Sequence, residues 1–152
     1  MIAQGIIVGG EQQTARFSSM PGKLRAELRV GVGRAALRVQ RQSKEFKLSG
    51  QVLKVRTGRL RRSINVKMSE TESSVTGSVG TNVSYARPHE YGFHGTVTVR
   101  EHLRRSVSGF HTVRSHPRKV DMPERSFLRS ALADMSAAIR LEFEQATQRA
   151  MR

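Results

Sequence analysis

The sequence predicts an α+β fold: an antiparallel sheet packed against a long N-terminal helix and a long C-terminal helix, with a protruding β-hairpin arm. Three observations carry that expectation. Apolar residues recur at helical spacing near both ends, the middle alternates apolar and polar residues between turn signals, and residues 96–120 are too basic to form a core of their own. At 152 residues and 37% hydrophobic content, the chain is one domain's worth of sequence, 1–152. A chain of this size hides roughly 70% of the surface it exposes when unfolded. With no Trp and 5% aromatic residues, its core must rest on Leu, Val, Ala, Met and Phe.

Residues 1–20 mix Gly, Gln and Ser with short apolar pieces such as Ile6, Ile7 and Val8, and read as an N-terminal arm or short strand. Pro21 stands where a first helical turn would begin. Over 21–48, Leu24, Leu28, Val32, Ala35, Val39 and Phe46 form the apolar stripe of an amphipathic helix, with Arg and Lys opposite. Gly31 and Gly33 each weaken that helix by about 1 kcal/mol relative to Ala, which points to a kink or a close helix contact. Ser49-Gly50 ends the segment. KVRTGRLRR (54–62) reads as a basic loop, and it opens a unit, 54–92, that continues into a hairpin. In that hairpin INVKM (64–68) and VTGSV (75–79) alternate apolar and polar residues around the run SETESS. YARPHEYGFHG (85–95) is a short turn or helical piece ended by glycines. After Pro123, residues 125–150 carry Leu128, Leu132, Met135, Ile139, Phe143, Ala146 and Ala150 at steps of three or four, a helix roughly 39 Å long.

Charge is the loudest compositional fact: 27 Lys and Arg stand against 12 Asp and Glu, a formal +15. Residues 1–62 hold 14 cations and 3 anions, and residues 94–120 hold 6 and 1. The stretch 123–152 is nearly balanced, with Arg125, Arg129, Arg140, Arg149 and Arg152 against Glu124, Asp134, Glu142 and Glu144. Such a field attracts nucleic acid, an anionic membrane or an acidic protein surface, and charge alone does not choose among them. The absence of cysteine removes disulfide and thiolate chemistry and suits a reducing cytosol. No apolar stretch approaches the roughly 20 residues that cross a bilayer. The opening MIAQGIIVGG lacks the basic and long apolar regions of a secretion signal.

The enzymatic motifs dissolve on inspection. VGVGRAA (30–36) matches G-x-G-x-x-A, but a helical period precedes it and residues 50–60 hold no acid for a ribose. His89-Glu90 lacks a second histidine four residues on, where Phe93 stands. His94, His102, His111 and His116 share no helical face, and two histidines across a hairpin lack a third ligand at recognisable spacing. No serine sits in a nucleophile elbow. Composition alone does not bar a ribonuclease built on His and Arg, yet no pattern points to one. The expectation is a protein without enzymatic activity, metal or cofactor.

TVREHLRR (98–105) recurs fourteen residues later as TVRSHPRK (112–119), with SVSGFH between them. The pair reads as two arms of a hairpin turning at Ser-Gly, laid side by side against one acidic surface. Long hairpins present open edges that a neighbouring subunit can satisfy. Phosphate contacts by this arm and by 54–62 are electrostatically sensible. Sequence-specific reading is not, because the loop and the octamers lack Tyr and Trp and only Phe110 lies between the copies.

Four segments, in order, resemble the tailed-bacteriophage neck and tail-completion proteins, catalogued as minor tail or virion-morphogenesis proteins. Thr57, Gly58, Leu60 and Ser63 match the family's T-G-x-L-x-x-S turn. Val79 and Gly80 match the end of its second strand. Tyr85, Ala86, Glu90 and Gly92 match Y-A-x-x-x-E-x-G, and Pro123, Arg125, Phe127 and Leu128 match P-x-R-x-F-L before a long helix. The resemblance covers about residues 55–135. Glu124 replaces a usual small residue, Ser126 a usual Pro, and Phe93 a common Thr; the segment 96–120 belongs to only some members.

The resemblance implies a structural virion protein that forms a ring at the head–tail junction and joins head to tail. It implies six copies, with twelve as the rival, contacts with connector and tail-tube proteins, non-specific contact with DNA in the lumen, and no membrane. The setting would be the virion, after assembly in the host cytoplasm. Arg56, Arg59, Arg61, Arg62, Arg100, His102, Arg104, Arg105, Arg114, His116, Arg118 and Lys119 become the expected assembly contacts. Gly58, Gly80 and Gly92 become turn positions, Tyr85 and Phe127 anchors in the body, and Glu90 and Pro123 further structural positions. A small basic protein that binds nucleic acid non-specifically is the alternative.

Overall fold

The computed structural model describes residues 22–71 and 74–151, so the expected arm over 1–20 and Pro21 lie outside the described residues. Helix α1 (Gly22–Glu45) is followed by a 3-10 turn (Lys47–Ser49), a short helix α2 (Arg59–Ser63) and the strands β1 (Asn65–Glu70) and β2 (Val75–Gly80). Helix α3 (Ala86–Tyr91) leads into β3 (Phe93–Val99), β4 (His102–Ser106), β5 (Gly109–Val113) and β6 (His116–Met122), and α4 (Leu128–Met151) closes the chain. This is an α+β fold with a long helix near each end. Among the described residues its β-structure is three separate two-stranded antiparallel ladders, β1–β2, β3–β6 and β4–β5.

The helices α1 and α4 run antiparallel along each other: Glu27 meets Arg149, Gly31 meets Ala146 and Gln42 meets Asp134. Small residues make the approach close. A Cβ on Gly31 would lie 3.2 Å from the Ala146 Cβ, whereas one on Gly33 would meet nothing within 4 Å, so Gly31 is the contact and Gly33 is free. A different face of α1 receives the β1–β2 hairpin, where Gly77 lets Val32 and Ala36 come close. Two small apolar clusters result. Ala35, Val39, Ala131 and Ile139 seal the helix pair. Leu48, Ile64, Ala86 and Phe127 sit where the connecting segments converge, and Val79 packs against both clusters.

Several expectations are corrected. The helix ends at Glu45, and Phe46 lies outside it at 55% exposure rather than on its apolar stripe. Half of the expected basic loop is the helical turn α2. Gly80 is no turn: it is the last residue of β2 and pairs with Asn65. Gly58 and Gly92 do carry positive φ, at 70° and 73°. Phe127 is fully buried, but Tyr85 is 40% exposed and anchors nothing in the core. The final helix starts at Leu128, not Arg125, for a reason found on another element.

That reason is Glu90, buried at the end of α3. One carboxylate oxygen accepts from the backbone N–H of Phe127 and Leu128 at 2.8 and 2.9 Å. The other accepts from the Arg129 N–H and the Ser126 hydroxyl, both at 2.8 Å. The first N–H groups of a helix have no partner within it, and its N-terminal end favours negative charge. Glu90 supplies both needs from a distance, so Y-A-x-x-x-E and P-x-R-x-F-L are two halves of one joint. Gly92 belongs to the same joint, since a Cβ there would stand 3.0 Å from the Met122 carbonyl oxygen. The Arg125 N–H closes it by donating to the His89 carbonyl at 2.8 Å.

Candidate functional site

The arm is longer than expected and is built differently. It runs from Phe93 to Met122 as one hairpin of unbroken register, in two ladders separated by Arg100 and Glu101 on one side and Arg114 and Ser115 on the other. From Phe93 to Ser106 it spans about 45 Å at roughly 3.3 Å per residue. The turn is Val107-Ser108, one residue before the expected Ser-Gly, and Gly109 follows with φ 119°.

Because the strands are antiparallel, the two octamers do not lie in parallel with like residues side by side. His102 faces Val113 while His116 faces Val99, and Thr112 faces Leu103 while Thr98 faces Pro117. The pairing of each copy is thus repeated in the other with the two strands exchanged. Both copies make the same contact in the gap between the ladders: His102 Nδ1 donates to the Arg100 carbonyl and His116 Nδ1 to the Arg114 carbonyl, each at 2.9 Å. The repeat thus encodes a symmetric break in the ladder, with each histidine satisfying a carbonyl that the sheet leaves unpaired. His102 and His116 are not cross-strand partners, and no cluster of three metal-ligating side chains occurs among the described residues.

Successive strand residues point to opposite faces. On the lower ladder one face carries Phe93, Val97, Val99, Val120 and Met122 with His116 and Arg118; the other carries His94, Thr96, Thr98, Pro117, Lys119 and Asp121. On the upper ladder Leu103 and Phe110 share a face with Arg105 and Thr112, and His102, Arg104, His111 and Val113 share the other. Arg100, His102, Arg104, Arg105, Arg114, His116, Arg118 and Lys119 are all exposed, but they divide between the faces. Leu103 and Phe110 are exposed at 70% and 73% near the tip, unusual for large apolar side chains. Both outer edges of the arm lack a further strand among the described residues.

The other expected contacts gather elsewhere. Thr57 and Gly58 make the turn into α2, where the Arg62 guanidinium donates to the Thr57 carbonyl at 3.1 Å. Leu60 enters the core and the Ser63 hydroxyl meets that of Thr81 at 2.6 Å, so this motif ties α2 to the end of the β1–β2 hairpin. The turn leaves an open concavity of about 470 Å³ lined by Lys44, Val55, Arg56, Thr57, Gly58, Arg61 and Arg62. Arg59 is exposed but does not line it.

Sequence reasoning missed the buried carboxylate of Glu142. It lies 3.3–3.4 Å from Arg34 and Arg38 on α1 and Arg149 on α4, and Arg149 also reaches Glu27 at 2.9 Å. Lys47 and Gln42 grip Asp134 in the same way at 2.8 and 3.0 Å, holding its carboxyl below the usual carboxylate range. The signal was present: Glu142 stands between Ile139 and Ala146 on the apolar stripe, and Arg34 and Arg38 are four residues apart on the facing helix. The nearly balanced charge of 123–152 has its cause here. Glu142 neutralises Arg34 and Arg38 on α1, Asp134 takes Lys47 and Glu124 takes Arg129, whereas the Lys and Arg side chains of the arm and of the concavity have no carboxylate partner among the described residues.

Buried carboxylates thus hold the elements of the body together, and a long exposed arm leaves it. The chain belongs to the phage virion morphogenesis family, whose model matches residues 30–151 and so takes in most of α1, all of α4 and the arm. That places it with the structural, virion-associated proteins of phages. Comparison with curated proteins and with solved structures returns no match. No helix among the described residues is long and apolar enough to cross a membrane.

Proposed function

We propose that this chain is a neck or tail-completion subunit that assembles as a ring at the head–tail junction and is required to join heads to tails. The observation that carries the reading is the arm. It leaves the body between two elements clamped by Glu90, so its root is rigid, while its apolar tip residues and both edges are open. An exposed strand edge with large apolar neighbours is a template for another chain. The family membership supports a partner in the virion, and the six-fold symmetry of tail tubes favours six copies over twelve. Arg100, Arg104, Arg105, Arg114, Arg118 and Lys119 then steer the arm toward an acidic neighbour.

Native mass spectrometry of nuclease-treated protein, alone and mixed with its connector and tail-tube proteins, tests this. A closed oligomer or a stoichiometric complex is expected. A chain that stays monomeric with those proteins present, yet binds duplex DNA at sub-micromolar concentration, would be the nucleic-acid-binding protein instead.

A further inference from the structure

The concavity beside α2 has an unusual electrostatic composition. Four cations line it, Lys44 from the end of α1 with Arg56, Arg61 and Arg62, and no acid does. None of the four is ion-paired with a carboxylate among the described residues, in contrast to Arg29, Arg34, Arg38, Arg41, Arg129 and Arg149. The acids that form ion pairs are engaged elsewhere, and this cluster is left without a counter-charge among the described residues. Like charges held together on a turn repel, so the arrangement favours a bound anion.

We infer that this concavity is a binding site for the phosphates of a nucleic-acid backbone. The inference stands apart from the ring reading, since a subunit needs no oligomer to expose the site. A single carboxylate brings one charge, whereas a duplex presents one charge per roughly 1.7 Å of its axis, matching several cations in one hollow. Guanidinium groups grip phosphate oxygens bidentately, and three of the four cations are arginines. Arg62 is already positioned by its bond to the Thr57 carbonyl, which leaves its other N–H groups to a ligand. The lining has no aromatic ring on which a base could stack, and its clustered cations match the phosphates rather than an unstacked base.

The test is fluorescence anisotropy of a short labelled duplex titrated with the full-length, nucleic-acid-free protein from 50 to 300 mM salt. Arg56 and Arg61 are exposed, so Arg56→Gln/Arg61→Gln is expected to fold, with circular dichroism as the check. At 100 mM salt it should bind about tenfold more weakly, and its log–log salt slope should flatten by about two, near 0.9 per lost phosphate contact. Arg104→Gln/Arg105→Gln removes the same charge from the arm and should change affinity less than threefold. Absence of duplex binding by the parent protein at 50 mM salt, or equal losses in the two variants, overturns the inference. So does a glutamate-rich peptide of the same charge that binds as tightly as the duplex and loses its affinity in the same pocket variant, because the site then belongs to an acidic protein.

Discussion

A carboxylate that accepts from three backbone N–H groups and a hydroxyl is poorly replaced by an amide, which offers one acceptor oxygen and turns its other end into a donor. Glu90→Gln should therefore cost about 2–3 kcal/mol in urea unfolding, since hydrogen bonds to a charged group contribute about 1.5–3 kcal/mol and the buried Phe127 N–H risks losing its partner. Arg129→Met removes the half-exposed cation beside Glu90, with its contact to the Tyr91 ring at 4.7 Å, and should cost less than about 1 kcal/mol. A Glu90→Gln variant no less stable than Arg129→Met would deny the carboxylate its role as a cap. Next to it, His89 is held below the ordinary histidine pKa by burial first and the Arg125 charge second. Its Nδ1 is buried with no hydrogen-bond partner among the described residues, so a proton placed there would find no acceptor. A depressed folded pKa means the unfolded chain takes the proton first. The stability from neutral His89 is complete above the unfolded value near 6.5 and is lost as pH falls through the folded one. The urea midpoint should drop between about pH 7 and pH 5, and the drop should shrink in His89→Gln; an equal drop in that variant would assign it to another group.

Between helices, the two glycines of VGVGRAA make a controlled pair. Gly33 faces open space, so Gly33→Ala should stabilise by about 0.5–1 kcal/mol through helix propensity and reduced unfolded-state entropy. Gly31→Ala gains the same propensity but sets a methyl 3.2 Å from Ala146 Cβ. Overpacking costs about 1–3 kcal/mol, so this variant should be neutral to about 2 kcal/mol destabilised. Thermal melts of the two side by side decide it, and equal stabilisation would mean α1 and α4 are not in close contact at Gly31. These elements also mark where sequence stops being informative. The periodicity of Leu28, Val32, Ala35 and Val39, and of Leu132, Met135, Ile139 and Phe143, made both helices legible because an amphipathic stripe is a local record of burial. Glu142 broke that record, since an acid on the stripe is intelligible only once Arg34 and Arg38 on the other helix face it. The start of α4 was misplaced for a like reason: its cap is Glu90, 37 residues before Phe127. The β1–β2 hairpin was legible from alternation and the octamers were legible as the strands of a hairpin arm, but their pairing was not, because a repeat in an antiparallel hairpin turns end over end and brings unlike residues opposite each other.

For the molecule as a whole, the question is whether body and arm are separable. The helices, the β1–β2 hairpin and the Glu90 joint contain both apolar clusters, and no arm residue beyond the root enters either. The strands β3 to β6 have their main contacts with one another. A deletion can therefore be made at a natural seam: Gly95 and Val120 are cross-strand partners, and a two-residue Asn-Gly turn can join them in place of residues 96–119. Phe93 and His94 would still pair with Met122 and Asp121, so the root that holds Gly92 against Met122 and Glu90 against α4 is retained. Little core burial is lost and most of the removed surface was already in water, so the melting temperature should stay within about 5 °C of the parent, a change near 1 kcal/mol for a domain of this size. Assembly should respond differently. If the arm's edges and tip are what neighbours bind, the shortened chain should be folded yet unable to restore head–tail joining, and electron microscopy of such lysates should show separate heads and tails. Full infectivity with the shortened chain would remove the arm from the junction. Loss of the folded signal would mean instead that β3 to β6 belong to the core after all, contrary to their exposure.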